Sequence, residues 1–375
     1  MLLYIHEGSD IIKTIGIIAE YNPFHNGHLY HLNKTKKMFP NHLIILILSG
    51  NYTQRGEKSI IDKFNKTEIA LKYGIDLIIE LPYNFATQSA DEFAKGSIEL
   101  LNNLKCEHVV FGSEENNIQV LEANAKKIIN NELEIKSHIK LGKSYAAAIG
   151  ENILTSTPND ILGICYIKEI IKNNYNIKYH SIKRTSDYHD IKSNEEIISA
   201  SNIREKIKNK EDIKKYLPCE TAKFINNSDI EDFYLLKYNI LNNINNLDDF
   251  LGVNTGLAGR IKKYINSSDT TIELISNIKT KSYTYSTISR ALCHILCNFK
   301  KEDNDKSIQY IRILGFNNTG KKYLKLIKKN INIPIITKFS DYDFKYQIIE
   351  KRLNYIYYFN KENKENELTK KIIIN

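Results

Sequence analysis

Four apolar runs dominate the first third of the chain: TIGIIA (Thr14–Ala19), HLIILILSG (His42–Gly50), DLIIELP (Asp76–Pro82) and EHVVFGSE (Glu107–Glu114). None alternates apolar with polar, as a strand wet on one face must. Continuous runs of this length, closed by Gly, Pro or polar residues, suit strands covered on both faces. Between them, apolar positions recur at helical spacing over Gly27–Met38, Ile60–Tyr73 and Ala90–Leu104. A strand and a helix every thirty residues or so predicts right-handed βαβ crossovers and a parallel sheet. The expected fold is therefore α/β, a Rossmann-like parallel sheet with helices on both faces, whose ligands sit at the carboxyl ends of the strands. The pattern weakens in the second half. There it predicts a mainly helical region with a small α/β element: strands within Ser307–Phe316 and Ile333–Phe339 around a Lys-rich helix, Thr319–Asn330. The expected division is an extension (1–13), an α/β domain (14–208), a basic C-terminal region (209–359) and a charged, mobile tail (360–375).

Charge sharpens that division. Residues 1–205 carry 23 Lys and Arg against 25 Asp and Glu, whereas the remainder carries 30 against 19. A basic surface on the C-terminal part suits a polyanionic partner, although solvated helix faces would give the same count. Only seven of the 53 basic residues are Arg, so each Arg invites a specific role, because a planar guanidinium matches phosphate better than Lys does. The five cysteines are scattered with no Cys-x-x-Cys, which argues against a disulfide scaffold or a zinc ribbon. No apolar run is long enough to span a membrane, and the start carries acids with no signal-peptide pattern. A cytoplasmic protein with no membrane and no stable protein partner is expected.

The chemistry begins where the first run ends. Neither a GxGxxG nor a Walker motif follows it. Instead come Pro23, which stiffens the loop, and His25, Asn26, Gly27 and His28 at the mouth of a helix. Asn26-Gly27 can turn and cap that helix, and Gly27 permits close backbone approach. Imidazoles at a helix N-terminus can donate to a bound phosphate, which the free amides and the dipole also attract. Two other readings exist: inert histidines, or a metal held by His28 and His31 one turn apart. No nearby Cys or acidic cluster completes such a site, so no metal is expected. A second motif, ISASNIR (Ile198–Arg204), places Ser199, Ser201 and Arg204 at the start of a later helix. Hydroxyls, a helix N-terminus and a guanidinium fork all suit phosphate.

A strand followed by His-x-Gly-His, with ISxSxIR later in the chain, resembles the nucleotidyltransferase superfamily, whose members bind ATP and direct attack on its α-phosphate. The longer string AEYNPFHNGHLYHL is similar to the tRNA(Met) cytidine acetate ligase family. So are SGNYTQRGE (Ser49–Glu57), GIDLIIELPY (Gly74–Tyr83), FGSE (Phe111–Glu114), PNDILG (Pro158–Gly163), RTSDYHD (Arg184–Asp190) and KTKSYTYSTISRALCHIL (Lys279–Leu296). The likeness runs from Ile15 to Phe316. It implies an ATP-dependent ligase, forming AMP and pyrophosphate. Such a ligase activates acetate as acetyladenylate and passes the acetyl group to the exocyclic amine of the wobble cytidine of elongator tRNA(Met). Mg²⁺ would accompany ATP, without a visible cage. Two alternatives stand beside it. One is an adenylyltransferase, or a ligase for another small acid, in the same superfamily. The other is a non-catalytic RNA-binding protein on this scaffold.

By that resemblance the stretch from Ile18 through Ala19, Glu20, Tyr21, Asn22, Pro23, Phe24, His25, Asn26, Gly27, His28, Leu29 and Tyr30 to His31 lines the ATP site. Within it His25 and His28 are catalytic, stabilising charge on departing pyrophosphate. Gly112 lets adenine or ribose approach the backbone. Asn159 and Arg184 add nucleotide contacts, and Ser199, Ser201 and Arg204 complete the phosphate cradle. Gly112 also suits a strand-end turn, and Asn159 and Ser199 also suit helix caps. No proton-transfer role is assigned to His189 in RTSDYHD. For the tRNA the candidates are Arg55, then Lys281, Tyr283, Tyr285 and Arg290, where basic and aromatic residues mix. The stripe Lys321, Lys322, Lys325, Lys328 and Lys329 joins them. Cys293, His294 and Cys297 share a helix without a fourth ligand and are read as packing.

Overall fold

The computed structural model describes residues 12–140, 145–150, 157–184, 197–225, 232–359, 361, 364–365 and 367–375. The expected extension therefore lies outside the described residues except for its last two positions, as does RTSDYHD beyond Arg184.

The four apolar runs become β1 (Thr14–Ala19), β2 (Leu43–Ser49), β3 (Leu77–Leu81) and β4 (His108–Ser113). All seven residues of β2 are buried, as covering on both faces requires. Helix α1 (Asn26–Met38) follows β1, and α2 (Lys63–Lys72) follows β2. Asp62 starts α2 by accepting the Phe64 and Asn65 amides at 2.9 and 3.0 Å. A fifth strand, β5 (Lys178–Lys183), escaped the hydrophobic pattern because it is a half-exposed edge with a single buried position, Ile182.

The sheet order is β5-β4-β1-β2-β3, parallel throughout, and it continues through β6 (Ile311–Phe316) and β7 (Ile335–Ile336). From β1 the chain builds outward through β2 and β3, then returns to place β4 on the other side. A crevice opens at the carboxyl ends where the order reverses, the usual ligand position of such a sheet. One face of the sheet packs Ile45, Ile47, Ile79 and Val109 under helices Ala90–Asn103 and Pro158–Lys172. The other packs Ile15, Ile17, Leu46 and Leu48 under α1 and α2. Residues 233–296 form a helical unit with its own core, including Phe233, Leu257, Leu274 and Ile288.

Two expectations need correction. The sheet does not stop at residue 208: β6 adds antiparallel to β3, so the C-terminal region completes the N-terminal sheet. An apolar strand as deeply buried as β3 would otherwise present an unpaired edge. Nor is the charged end a loose tail in its described part. Strand β8 (Ile373–Ile374) pairs with β6, and Glu367 is 1% exposed. Its carboxylate lies 2.8 Å from Lys63 Nζ and 3.5 Å from Arg312. Lys63 also pairs with Glu80 at 2.8 Å, and buried cations of this kind persist only where they are paired. Among the described residues no helix is long and apolar enough to cross a membrane.

Candidate active site

At the carboxyl end of β1 the chain turns sharply. Tyr21 is left-handed with φ 46, and the Asn22–Pro23 peptide is cis. The buried Asn22 carboxamide accepts the Ile60 amide at 2.9 Å, pinning this turn to the segment before α2. His25 then starts α1. Its Nδ1 accepts the Gly27 amide at 3.0 Å, while its own amide donates to His28 Nδ1 at 3.3 Å. The imidazole itself is thus the cap. The expected cap, Asn26, is instead the first helical residue and donates to the Lys215 carbonyl at 2.9 Å. With Nδ1 accepting, the His25 proton sits on Nε2. The two rings lie 4.0 Å apart, and Phe24 stacks on His28 from beneath. Gly27 is required here, because a Cβ would fall 2.7 Å from His25 Cε1.

These histidines face a cavity of ≈ 640 Å³ over the carboxyl ends of the strands. Ile18, Ala19, Glu20, Tyr21, Asn22, His25, Gly27, His28, Tyr30 and His31 line it. Pro23, Phe24, Asn26 and Leu29 do not; Phe24 and Leu29 pack beneath in the core on the α1 side of the sheet. Desolvation is the main force on the rings. Burial, reinforced by Arg184 and Arg204, pushes His25 down to about 3. Burial, His25 and Arg184 likewise hold His28 well below its ordinary value, and His31 falls to about 4. All three are neutral near pH 7 and act as hydrogen-bonding groups. His31 Nε2 is buried without a hydrogen-bond partner among the described residues.

The wall over β4 and β5 gathers Gly112, Asn159 and Arg184. Arg184 Nε pairs with Glu114 at 3.3 Å, and Asn159 Nδ2 donates to the same carboxylate at 2.5 Å. A Cβ on Gly112 would touch the Arg184 side chain at 3.4 Å, so Gly112 keeps this corner open. Asn159 is not a helix cap, since Thr157 holds that position. Ser199 is one: its hydroxyl accepts the Asn202 amide at 3.2 Å. Ser201 and Arg204, on the helix it starts, reach the cavity. Arg204 donates to the Asn22 carbonyl at 2.9 Å and lies 3.6 Å from Glu57, clamping the β1 and β2 loops together.

The third wall came only in part from sequence. Thr53, Gln54, Arg55 and Glu57 follow β2, and Tyr285 and Arg290 arrive from helix Tyr285–Leu296 of the helical unit. Glu20 is half-buried, and desolvation raises its pKa despite the Gln54 amide on its carboxylate at 2.5 Å and the nearby Arg204. Beneath it lies Lys66, which sequence reading passed over. Its Nζ donates to the carbonyls of Glu20, Ser49 and Gly50 at 3.0, 2.8 and 2.7 Å, and burial lowers it to about 7. On a Lys-rich chain nothing local marks this lysine out.

Other sequence candidates lie elsewhere. Lys281 is exposed beyond the cavity, and the Tyr283 hydroxyl donates to Asn254 at 2.9 Å. The lysine stripe is exposed on helix Asn318–Ile327 and the turn Lys328–Asn330. That helix packs near Asp76 through Gly320 and near Leu104 through the Tyr323 hydroxyl, which places it at the amino ends of the strands, away from the cavity. Cys293, His294 and Cys297 are buried, with the Tyr83 hydroxyl 3.0 Å from His294 Nδ1. One described group, His42, Glu107 and His108, has ligand atoms within 4.8 Å of one another, again at the amino ends.

Comparison with known proteins finds relatives over most of the chain. The family model described as HIGH Nucleotidyl Transferase matches residues 12–371. A tRNA(Met) cytidine acetate ligase of Geobacillus sp. (strain WCH70) is 38% identical over 88% of this chain and 90% of its own. The protein of that name from Clostridium novyi (strain NT) is 39% identical over 87% and 90%. Thermotoga maritima TmcAL bound with alpha-thio ATP superposes with a TM-score of 0.85 at 29% identity, covering 97% of this chain and 99% of that one. Its apo form gives 0.87 at 30% with the same coverage.

Proposed function

The chain belongs to the tRNA(Met) cytidine acetate ligase family of HIGH nucleotidyl transferases, and from that premise we propose how its own residues carry out the reaction. The protein is an ATP-dependent ligase that acetylates the wobble cytidine of tRNA(Met). The observation that carries the residue assignment is the pair of imidazoles at the α1 N-terminus, 4.0 Å apart, opening on the cavity shared with Arg184 and Arg204.

In this reading adenosine lies over β4 and β5, where Gly112 leaves room and Asn159 and Arg184 supply polar contacts. The triphosphate lies across the α1 N-terminus. An acetate oxygen attacks the α-phosphorus, a P–O bond forms, and the bond to the β-phosphate oxygen breaks to release pyrophosphate. The chain supplies positioning and charge stabilisation rather than a nucleophile. Neutral His25 donates from Nε2 to a phosphate oxygen, and His28 supports it. The arriving polyanion raises both pKa values, so proton uptake can strengthen the hold as charge builds on the leaving group. In the second step the cytidine amine attacks the acetyl carbonyl, AMP leaves, and the amine loses a proton. The base is drawn from a single-stranded anticodon loop. Arg55 and Tyr285, on the wall furthest from the nucleotide corner, fit the approach of that loop.

Mg²⁺ is assigned to the nucleotide. The lining carboxylates Glu20 and Glu57 are engaged by Gln54 and Arg204, which leaves ATP's own phosphates to carry the ion. The test is a reaction of ATP, labelled acetate and bulk tRNA with wild type and His28→Ala. Label appearing in tRNA as acetylcytidine, and lost in the variant, supports the assignment. Label in tRNA that survives the substitution removes His28 from the mechanism.

A further inference from the structure

Among the guanidinium groups that line the cavity, three are engaged. Arg184 pairs with Glu114, and Arg204 holds Glu57 and the Asn22 carbonyl. Arg55 has its own contacts and interacts electrostatically with Glu20 and Tyr285. Arg290 differs, its side chain having no hydrogen bond or ion pair within the described residues. It lines the cavity half-buried, and desolvation lowers its pKa to about 10 with no carboxylate offsetting the cost. It is still a cation at pH 7. A partly desolvated cation with no carboxylate partner gains when an anion arrives.

The position of Arg290 narrows the identity of that anion. Its backbone is pressed against Gly56 in the loop after β2. Gly56 has φ +79, and a Cβ there would lie 2.5 Å from the Arg290 amide nitrogen. Ser289 Oγ fixes the contact by donating to the Gly56 carbonyl at 3.2 Å. Arg290 is therefore held over the β2 side of the crevice. The triphosphate cradle is at β1 and α1, and the adenosine corner is over β4 and β5. The β2 side is left for the acid of the adenylation step and for the anticodon loop, which approaches past Arg55 and the exposed Tyr285. A half-buried guanidinium set in the cavity wall, with its backbone held against the Gly56 loop, suits a small anion that can enter the cavity. A guanidinium fork matches the two oxygens of a carboxylate.

We infer that Arg290 binds the carboxylate of the small-acid substrate and orients it toward the α-phosphorus. The inference rests on the acetate-ligase reading above. It assigns Arg290 to the acid, in place of the tRNA contact expected from sequence.

The test measures KM for acetate, ATP and tRNA separately in the complete reaction, for wild type, Arg290→Gln and Arg290→Lys. Loss of a charge-assisted bidentate contact is expected to raise the acetate KM by roughly ten- to a hundredfold in Arg290→Gln, with the ATP and tRNA values within about twofold. Arg290→Lys keeps the charge without the fork and is expected to recover part of the loss. It also serves as the readout if the Gln variant does not fold. An unchanged acetate KM with a raised tRNA KM overturns the inference and returns Arg290 to the RNA. Failure of wild type to transfer label from acetate overturns the underlying reading instead.

Discussion

His25 serves the fold as a helix cap and, in the proposed mechanism, the chemistry as a donor. Its Nδ1 caps α1, which fixes the tautomer and leaves Nε2–H as a donor. Burial holds its pKa near 3 against an ordinary 6.5, so below about pH 6.5 the unfolded chain takes up a proton that the folded chain refuses. The stability affected is present above pH 6.5 and is lost as pH falls toward 3. Asn retains the cap without the titration. The stability gap between wild type and His25→Asn is therefore expected to shift by about 1–2 kcal/mol in the variant's favour between pH 7 and pH 5. Urea titrations at the two pH values measure it, and a constant gap would refute it. For the chemistry, His28→Ala should cost about 2.7–4 kcal/mol of transition-state stabilisation, a hundredfold or more in kcat. Gly27→Ala should reproduce much of that loss without removing an imidazole, because its Cβ displaces the His25 ring. A circular dichroism melt close to wild type would separate this from unfolding.

Among the elements, the loop after β2 and helix Tyr285–Leu296 matter most, because their contact closes the cavity. The contact turns on Gly56 in a left-handed conformation with no space for a Cβ. Gly56→Ala is expected to raise KM for acetate and tRNA together while leaving ATP binding intact, since the corner proposed for adenosine lies across the sheet. Separate titration of the three substrates checks it. The lysine helix Asn318–Ile327 poses a different question, being exposed but at the amino ends of the strands. If the tRNA reaches that far, Lys321→Glu with Lys325→Glu should weaken tRNA binding and flatten its salt dependence, leaving KM for ATP and acetate unchanged. An unaltered slope would take the helix out of the interface.

For the whole molecule, the C-terminal residues close the sheet that the N-terminal residues open. Glu367 neutralises Lys63 and Arg312 inside the protein, and burial raises the neighbouring Glu350 to about 8. Glu367→Ala would strand two buried cations on fewer partners and is expected to cost about 3 kcal/mol of unfolding free energy. Deletion of residues 360–375 should cost at least as much, because it also removes β8 from β6. A mobile tail would predict no change in either denaturation midpoint.

The sequence by itself determined the parallel α/β sheet, because continuous apolar runs spaced by helices admit few other folds. It also determined one end of the cavity, because His25, Gly27 and His28 fall together at the end of one strand. Both depend on residues close in the chain, where spacing is geometry. Weak local signals hid β5, whose half-exposed edge carries one buried residue, and Lys66, one lysine among many. What only the tertiary structure decided involves long-range contact. That includes the docking of Arg290 over Gly56, the clamp of Arg204 on Asn22 and Glu57, and the pairing of Glu367 with Lys63. In each, a charged side chain reads as surface until the fold removes water from around it. Burial and partner, not residue type, then set what the charge does.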